Sequence, residues 1–304
     1  MMAWLMAASE SFMYSLEQLK IFVTVCECGT VSAAARKLKR AQSGVSQSIA
    51  NLEVAINQDL FSREKNALSL TATGLALLPI ARSILGQQQL FDQKVESLEQ
   101  SIENTLAIAV DECLVTDELL AVLSHLAQAF PVTNIELITV STFDVEELVR
   151  SNKAQVGIIF ADGELREDMD FFTLGQVRFV TVAASEHHLA SLVEVRDSDL
   201  KAHRQIVHRS ASEKELWFSY GISSNYWHAN SHQMMVTLAS QGIGWALVPE
   251  VMASPMIEQG KLVKLPVAHE KEGWLTTTGC LVSRSQASGP VREKLIELLQ
   301  ASGM

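Results

Sequence analysis

The chain lacks long apolar runs and paired cysteines. No segment has about 18 or more consecutive apolar residues, so we expect no membrane span. The four cysteines, Cys26, Cys28, Cys113 and Cys280, show no C-x-x-C spacing. This pattern is typical of a reduced, cytoplasmic protein. It favours buried thiols over metal ligands, because a free cysteine packs as a small apolar residue.

Catalytic signatures are also missing. The sequence contains no GxSxG, HExxH or P-loop pattern, and its Ser, His and Asp residues show no telling spacing. We therefore expect no enzyme, no cofactor and no metal. Residues 1–12 carry no Lys or Arg, unlike the start of a signal peptide, and are expected to form a frayed tail.

Charge is distributed unevenly along the chain. The 304 residues suit about two domains of roughly 100–200 residues each. The net charge of −11 argues at first against a nucleic-acid partner. Residues 13–75, however, contain seven Lys or Arg against five Asp or Glu, so the acidic excess lies in the rest of the chain. This asymmetry favours phosphate contact by the first segment alone.

Apolar spacing near the start predicts three short helices, over residues 16–28, 31–39 and 43–56. The second and third, joined by the turn 40–42, have the arrangement of a helix-turn-helix, whose second helix enters the major groove. The third helix would present a polar face that includes Ser46 and Gln47, and Gln can pair with adenine. From periodicity alone, a small helical bundle with a solvated polar face is an equal alternative.

The spacing of individual residues in this segment is more specific. The relevant positions are Leu19, Phe22, Gly29, Ala34, Ala35, Leu38, Gln42, Ser43, Val45, Ser46, Ile49, Leu52, Glu53, Leu60, Phe61, Arg63, Leu70, Thr71 and Gly74. In these positions the chain resembles the DNA-binding domain of LysR-type transcriptional regulators. The resemblance implies a winged helix-turn-helix head with its wing between Phe61 and Leu70. The predicted DNA-binding residues are Arg36, Arg40, Gln42, Ser43, Ser46, Gln47, Arg63 and Lys65.

A heptad pattern follows the head. Its predicted seam is Leu77, Ala81, Ile84, Gln88, Phe91, Val95, Leu98 and Ile102, with the alternating steps of a coiled coil. The segment resembles the family's long linker helix, through which two chains dimerise. An amphipathic helix packed on its own domain is the alternative. Pro79 lies inside the pattern and predicts a kink.

Strand and helix patterns alternate from residue 103 onward, which predicts an α/β domain with a mostly parallel sheet. This part resembles the family's effector domain, a two-subdomain fold similar to type 2 periplasmic binding proteins. The resemblance implies two crossings between the subdomains, with a ligand cleft between them. The predicted division is a tail (1–12), the head (13–71), the linker helix (72–102) and the effector domain (103–304). Within the last, subdomain I would comprise about 103–178 and 279–304, and subdomain II about 179–278.

Ligands of such sheets bind at the carboxyl ends of strands and at helix N-termini. The predicted effector-binding residues are Asp111, Cys113, Thr116, Ser141, Thr142, His208, Arg209, Ser210, Asn230 and Ser231. Asp111 and Glu112 disfavour an anion unless Arg209 offsets them, so a polar neutral or cationic effector is one hypothesis and outward-facing acids are the other. His208 is alternatively a polar residue satisfied within the chain.

The resemblance implies a sequence-specific DNA-binding transcriptional regulator whose DNA binding is modulated by a small effector in the cleft. Its partners would be a double-stranded DNA operator, the effector and further copies of itself, as a homodimer or homotetramer, with RNA polymerase as an additional partner and no membrane. One alternative is a redox-responsive regulator of the same family that uses Cys113. Another is a solute-binding module without DNA function, which predicts an export signal and no basic helix-turn-helix.

Overall fold

The computed structural model describes residues 14–62, 68–161 and 167–303. The chain divides into two compact units between Glu96 and Ser97. The predicted tail and the wing residues Arg63 and Lys65 lie outside the described residues. The dividing point falls inside the predicted linker helix, and the predicted domain boundaries stay predictions.

The first unit is a small helical head with a two-stranded hairpin. Its elements are α1 (Leu16–Cys28), α2 (Val31–Leu38), α3 (Gln42–Ile56), β1 (Phe61–Ser62), β2 (Ser69–Leu70) and the start of α4 (Ala72–Glu99). Ser15 and Gln18 form a capping box at the start of α1, and Gly29 ends that helix with φ 72°. Thr30 caps α2 by accepting from the Ala33 N–H.

One apolar core holds the head together. Phe22 and Phe61 pack edge to face with ring centroids 5.6 Å apart, and Leu52 and Leu60 are buried beside them. β1 pairs antiparallel with β2, placing Phe61 opposite Leu70. Glu53 accepts hydrogen bonds from the backbone N–H groups of Leu60 (2.8 Å) and Phe61 (3.2 Å), which fixes the hairpin to α3. The winged helix-turn-helix expected from the sequence is confirmed.

α4 runs uninterrupted through Pro79. Its first half packs into the head: Ala81 is buried, and Leu77 and Ile84 pack against the same core. These three residues of the predicted dimer seam therefore contact the core of their own head, although Leu77 and Ile84 are only partly buried, and the seam stays a prediction. Farther along, Gln88, Phe91, Val95 and Leu98 are exposed, and Ile102 packs against the core of the second unit.

The second unit contains one mixed sheet with helices around it. Its strands are β3 (Thr105–Asp111), β4 (Asn134–Val140), β5 (Val156–Phe160), β6 (Met169–Ala184), β7 (Gln205–His208), β8 (Tyr226–Ala229), β9 (Trp245–Pro249), β10 (Leu262–Lys264) and β11 (Trp274–Ser283). Its α-helices are α5 (Asp117–Ala129), α6 (Thr142–Arg150), α7 (Asp197–Ala202), α8 (His232–Ser240), α9 (Glu250–Glu258) and α10 (Pro290–Ser302), and a 3₁₀ turn spans Glu112–Leu114.

The strand order is β4-β3-β5-β11-β6-β9-β7-β8, with β10 paired to β6. β3 is parallel to β4 and β5, and β7 is parallel to β8 and β9. The long strands β6 and β11 are antiparallel and pass between the two groups. We call the group around β3, β4 and β5 lobe I and the group around β7, β8 and β9 lobe II. The predicted two-subdomain α/β architecture with two crossings is confirmed.

Two carboxylates of lobe I reach backbone N–H groups of lobe II. Asp144 accepts from Ala211 (3.2 Å) and Ser212 (3.3 Å), and Glu112 accepts from the backbone N–H of His232. Burial tends to raise the pKa of Asp144, but hydrogen bonds from Ser141, Ser212 and the 211–212 backbone outweigh it and hold that pKa below its ordinary value. Asp144 is therefore ionised at neutral pH, and its stabilisation is lost only as the pH falls through that lowered pKa.

Within the described ranges, no helix combines the length and apolar character needed to cross a bilayer.

Gly74 provides a test of the head. A Cβ at this position would lie 2.2 Å from the Leu60 carbonyl oxygen and 2.8 Å from Leu70 Cδ2. We expect Gly74→Ala to lower the free energy of unfolding of the head by about 1–3 kcal/mol, because the backbone must shift to admit the methyl group. Urea unfolding followed by circular dichroism measures the change.

The matched control is Gly86→Ala, also in α4, where an added Cβ meets no atom within 4 Å. It should stabilise the helix by roughly 0.5–1 kcal/mol. Equal unfolding curves for Gly74→Ala and the unmodified chain would contradict the close approach.

The Asp144 contact provides a second test. Each carboxylate oxygen accepts one backbone N–H, from Ala211 or Ser212, whereas an amide has a single acceptor oxygen. We expect Asp144→Asn to speed amide hydrogen exchange across residues 211–212 by about tenfold or more, the effect of losing a charge-assisted hydrogen bond. Exchange mass spectrometry at constant pH measures this, and Glu136→Gln, an exposed acid on β4, should leave these amides unchanged.

Candidate DNA-binding surface and effector cleft

α3 separates an apolar face from a polar one. Val45, Ile49 and Leu52 are buried in the head core. The predicted DNA-binding residues of this helix, Gln42, Ser43, Ser46 and Gln47, are all exposed. Gln47 donates to Asn51 across one helical turn at 2.8 Å, which orients its amide on the exposed face. The helix therefore presents four hydrogen-bonding side chains without disturbing the core.

Basic residues flank this face. Arg36 on α2 and Arg40 in the turn are exposed, and Arg40 pairs with Glu17 at 3.0 Å. An exposed ion pair contributes little stability, so Arg40 can exchange Glu17 for a phosphate group at small cost. Both side chains are accessible, and their contact with phosphates stays a prediction.

In the second unit, Asp111 is the centre of a buried network at the end of β3. Its Oδ2 accepts from the backbone N–H (2.8 Å) and hydroxyl (2.7 Å) of Thr142, and its Oδ1 accepts from the Cys113 N–H (3.1 Å). Burial raises the pKa of Asp111 to about 6, although these hydrogen bonds oppose the shift. The outward orientation considered for this acid is wrong for Asp111, which is 1% exposed.

Two histidines from lobe II lie in the cleft. His208 at the end of β7 and His232 at the start of α8 stack with ring centroids 4.2 Å apart and planes 6° apart. Phe179 meets His232 edge-on at 5.7 Å. Burial lowers the pKa of His208 to about 4 and that of His232 well below its ordinary value, so both rings are neutral at pH 7.

The ring nitrogens of these two histidines are mostly without hydrogen-bond partners in the described ranges. Among the described residues, Nδ1 of His208 and both ring nitrogens of His232 are buried without a hydrogen-bond partner. Buried polar atoms are normally paired, so unpaired nitrogens in a cleft indicate a ligand or another partner. The alternative in which His208 is fully satisfied within the chain is therefore not supported at Nδ1.

Four predicted effector residues have hydrogen-bond or ion-pair partners within the chain. The Thr116 hydroxyl caps α5 through the Leu119 N–H, and the Ser231 hydroxyl caps α8 through the Met234 N–H. The Ser210 hydroxyl accepts from the Lys214 N–H. Arg209 pairs with Glu213 at 3.4 Å. Asn230, another predicted effector residue, is exposed just after β8. Thr116, Ser210, Arg209 and Ser231 therefore have partners within the chain, and their role in effector binding stays a prediction.

Ser141 and Thr142 are likewise bonded within lobe I. The Ser141 hydroxyl donates to Asp144 at 2.7 Å, while the Thr142 hydroxyl donates to Asp111 and accepts from the Phe160 N–H at 3.2 Å. Both are buried. They lie at the cleft as predicted, but they orient acids rather than offering free hydroxyls.

Sequence reasoning did not assign Glu112, Asp144 or His232 to the site. Asp144 had a usable signal, because Ser141-x-x-Asp144 is a capping-box pattern at a helix start. His232 directly follows Ser231, the N-cap of α8, yet the contact of His232 with the end of β3 depends on the tertiary fold. No local pattern could have shown it.

A groove of about 800 Å³ lies beside the crossing strands β6 and β11. Arg178, Glu250 and Thr278 line it, together with Cys113 and Thr116 from the predicted site. This volume suits a small molecule. The buried polar cluster lies mostly outside its lining, so we place the candidate effector site at the cluster and treat the groove as an approach to Cys113.

The thiol of Cys113 lies in surroundings that suppress its reactivity. It is buried, and burial together with the Asp111 and Glu112 carboxylates raises its pKa well above the ordinary value. The thiolate is the form that reacts with oxidants, and it is suppressed here. Burial likewise raises the pKa of Cys280 to about 12. These features argue against the redox-responsive alternative.

Comparison with known proteins gives consistent matches along the chain. The model of the bacterial regulatory helix-turn-helix protein, lysR family, matches residues 16–75, and that of the LysR substrate binding domain matches residues 99–303. The chain is 30% identical over 239 residues to the HTH-type transcriptional regulator AceR of Acinetobacter baumannii, covering 78% of this chain and 79% of AceR. The helix-turn-helix match rules out the solute-binding module without DNA function.

Further relatives of the chain are also transcriptional regulators. The chain is 26% identical over 269 residues to the multiple virulence factor regulator MvfR of Pseudomonas aeruginosa, covering 88% of this chain and 80% of MvfR. Full-length BenM has the same fold, with a TM-score of 0.52 at 21% identity, covering 95% of this chain and 96% of that structure. The protein therefore belongs to the LysR family of transcriptional regulators, whose DNA binding is modulated by an effector.

Proposed function

We propose that two copies of this chain contact successive major grooves of a pseudo-palindromic operator through α3. Gln42, Ser43, Ser46 and Gln47 would contact base edges, while Arg36, Arg40, Arg63 and Lys65 would contact phosphates. The observation that carries the proposal is the exposed polar face of α3, opposite its buried Val45, Ile49 and Leu52. The function is regulatory and needs no catalytic group, and its site of action is the cytoplasm, where the chromosome lies.

The effector site is proposed at the cleft between the lobes. Support comes from the unpaired nitrogens of His208 and His232 and from the lobe-to-lobe contacts of Glu112 and Asp144. The two carboxylates occupy the start of α8 and the 211–212 backbone, the N–H groups that would otherwise hold an anion. A neutral or cationic ligand therefore suits the closed cleft better than a small carboxylate.

Self-association is proposed through two surfaces. The exposed half of α4 offers Phe91, Val95 and Leu98 in the heptad positions of a two-chain seam. In the second unit, Leu120 on α5 and Ile135 and Leu137 on the edge strand β4 are also exposed. Two separate apolar surfaces support a homotetramer built from dimers. RNA polymerase is proposed as a further partner at the promoter.

Base recognition is tested at Gln47. With fluorescently labelled promoter DNA flanking the gene, we expect Gln47→Ala to reduce discrimination between operator and unrelated DNA by about 1–3 kcal/mol, the value of a bidentate base contact. For Arg36→Gln, the slope of log affinity against log salt should become shallower by about 0.9, which corresponds to one lost phosphate contact. Fluorescence anisotropy over a salt series measures both quantities.

Lys153→Gln is the matched control, because Lys153 is an exposed cation of the second unit. It should leave the salt slope and the discrimination unchanged. If Gln47→Ala retained the original preference and Arg36→Gln the original slope, α2 and α3 would not be the DNA-binding surface.

The dimer seam is tested at Phe91, whose side chain is 69% exposed. We expect Phe91→Glu to lower the oligomeric mass measured by light scattering, since a buried, unpaired carboxylate in a coiled-coil seam is strongly unfavourable. Gln89→Glu places the same charge on an exposed position of α4 outside the seam and should keep the original mass. An unchanged mass for Phe91→Glu would remove α4 from the interface.

A further inference from the structure

Three metal-ligating side chains meet at the base of the cleft. One carboxylate oxygen of Asp111, the sulfur of Cys113 and one ring nitrogen of His232 all lie within 4.8 Å of one another. All three residues are buried, with exposures of 1%, 4% and 0%. Asp111 and Cys113 belong to lobe I and His232 to lobe II, so a bound ion would join the lobes.

The histidine supplies an independent observation. Both ring nitrogens of His232 are buried and without a hydrogen-bond partner in the described part of the chain. A neutral imidazole has one donor and one acceptor nitrogen, and coordination to an ion would satisfy the acceptor. A metal-bound histidine ordinarily gives its other N–H to a carboxylate. Glu112 Oε1 lies 4.0 Å from His232 Nδ1, so a suitable carboxylate is already beside the ring.

The carboxylate ligand is oriented in advance. Thr142 donates both its backbone N–H and its hydroxyl to Asp111 Oδ2, and the Cys113 N–H donates to Oδ1. The Phe160 N–H donates to the Thr142 hydroxyl oxygen and fixes it in turn. In metal sites, ligating carboxylates are themselves held by hydrogen bonds from outer-shell groups, which set the direction of the ligand.

The donor set restricts the ion. One thiolate, one imidazole and one carboxylate suit a borderline-soft cation such as Zn²⁺, whereas Mg²⁺ and Ca²⁺ take oxygen ligands. Metal–ligand distances of about 2.0–2.3 Å place tetrahedral ligand atoms roughly 3.3–3.8 Å apart. Because the three atoms are separated by at most 4.8 Å, reaching these distances requires movements of about 1 Å. Three protein ligands leave a fourth position open for water or an organic ligand.

We propose that the cleft binds one divalent transition-metal ion of the Zn²⁺ class through Asp111, Cys113 and His232. The ion holds lobe II against lobe I, and its open coordination position faces the cleft. An effect of the ion on DNA binding rests on the proposed function of the cleft as the effector site. Metal binding itself does not depend on that proposed function. Without an ion, the same groups would be a buried polar surface that contacts an organic effector directly.

The test is a metal titration of the full-length, chelator-treated protein without DNA. Zn²⁺ binding is followed by calorimetry, and Co²⁺ binding by absorption, since a cysteine thiolate bound to Co²⁺ gives a charge-transfer band in the near ultraviolet. We expect one ion per chain and a thiolate band. Cys113→Ser should abolish the band, and both Cys113→Ser and His232→Gln should weaken Zn²⁺ binding by at least about 100-fold.

Cys280→Ser is the control, because Cys280 is also buried in the second unit but lies on β11, outside the cluster. Cys280→Ser should keep the Co²⁺ charge-transfer band and the affinity for Zn²⁺. Circular dichroism of each variant checks that it is folded. Absence of stoichiometric binding by the unmodified chain would overturn the inference, as would unchanged binding by Cys113→Ser and His232→Gln. Operator binding, measured separately with and without Zn²⁺, tests the proposed function, so the two can fail independently.

Discussion

The pairing of β6 with β11 is the constraint on which the second unit depends. Their ladder extends from Met169 opposite Ser283 to Phe179 opposite Trp274. β5 joins one side of β11 and β9 joins the far half of β6, so each lobe is hydrogen-bonded to the same pair of strands. The two strands thus link the lobes covalently and through the sheet, and a bulge interrupts their ladder between Thr278 and Gly279.

That arrangement explains why charged and polar groups can be buried in the cleft. The end of β3 and the start of α6 in lobe I meet the end of β7 and the start of α8 in lobe II. Asp111 tolerates burial because Thr142 and Cys113 supply three hydrogen bonds. His208 and His232 tolerate burial by remaining neutral and stacking on each other. The cleft is thus polar in composition, with neutral histidines and with carboxylates that accept backbone N–H groups.

The head was largely predictable because its determinants are local. Caps at Ser15 and Thr30, the C-terminal glycine at position 29 and helical apolar spacing fix three helices within a short stretch. The exposed positions of α3 follow directly from its period. The sequence could not show that Glu53, which looks like an ordinary surface acid, holds the wing by two backbone hydrogen bonds.

The effector cleft was predictable only in part. The rule that ligands lie at strand ends selected Asp111, Thr142 and His208, which the structure brings into one buried cluster, because that rule depends on topology. It could not separate hydroxyls that cap helices, such as Thr116, from groups that face a ligand. Nor could it show that Asp144 would bond across to the other lobe, since side-chain direction there is set by tertiary packing.

The first half of α4 packs into the head and the second half is exposed, which has a consequence for assembly. Leu77, Ala81 and Ile84 are part of the head core, while Phe91 and Leu98 remain exposed on the same continuous helix. Helix formation is cooperative along its length, so a second chain that ordered the exposed half, as proposed, would also suppress fraying toward Ala81. Folding of the head and association of the chains would then be thermodynamically linked, and the resistance of the head to unfolding would increase with protein concentration.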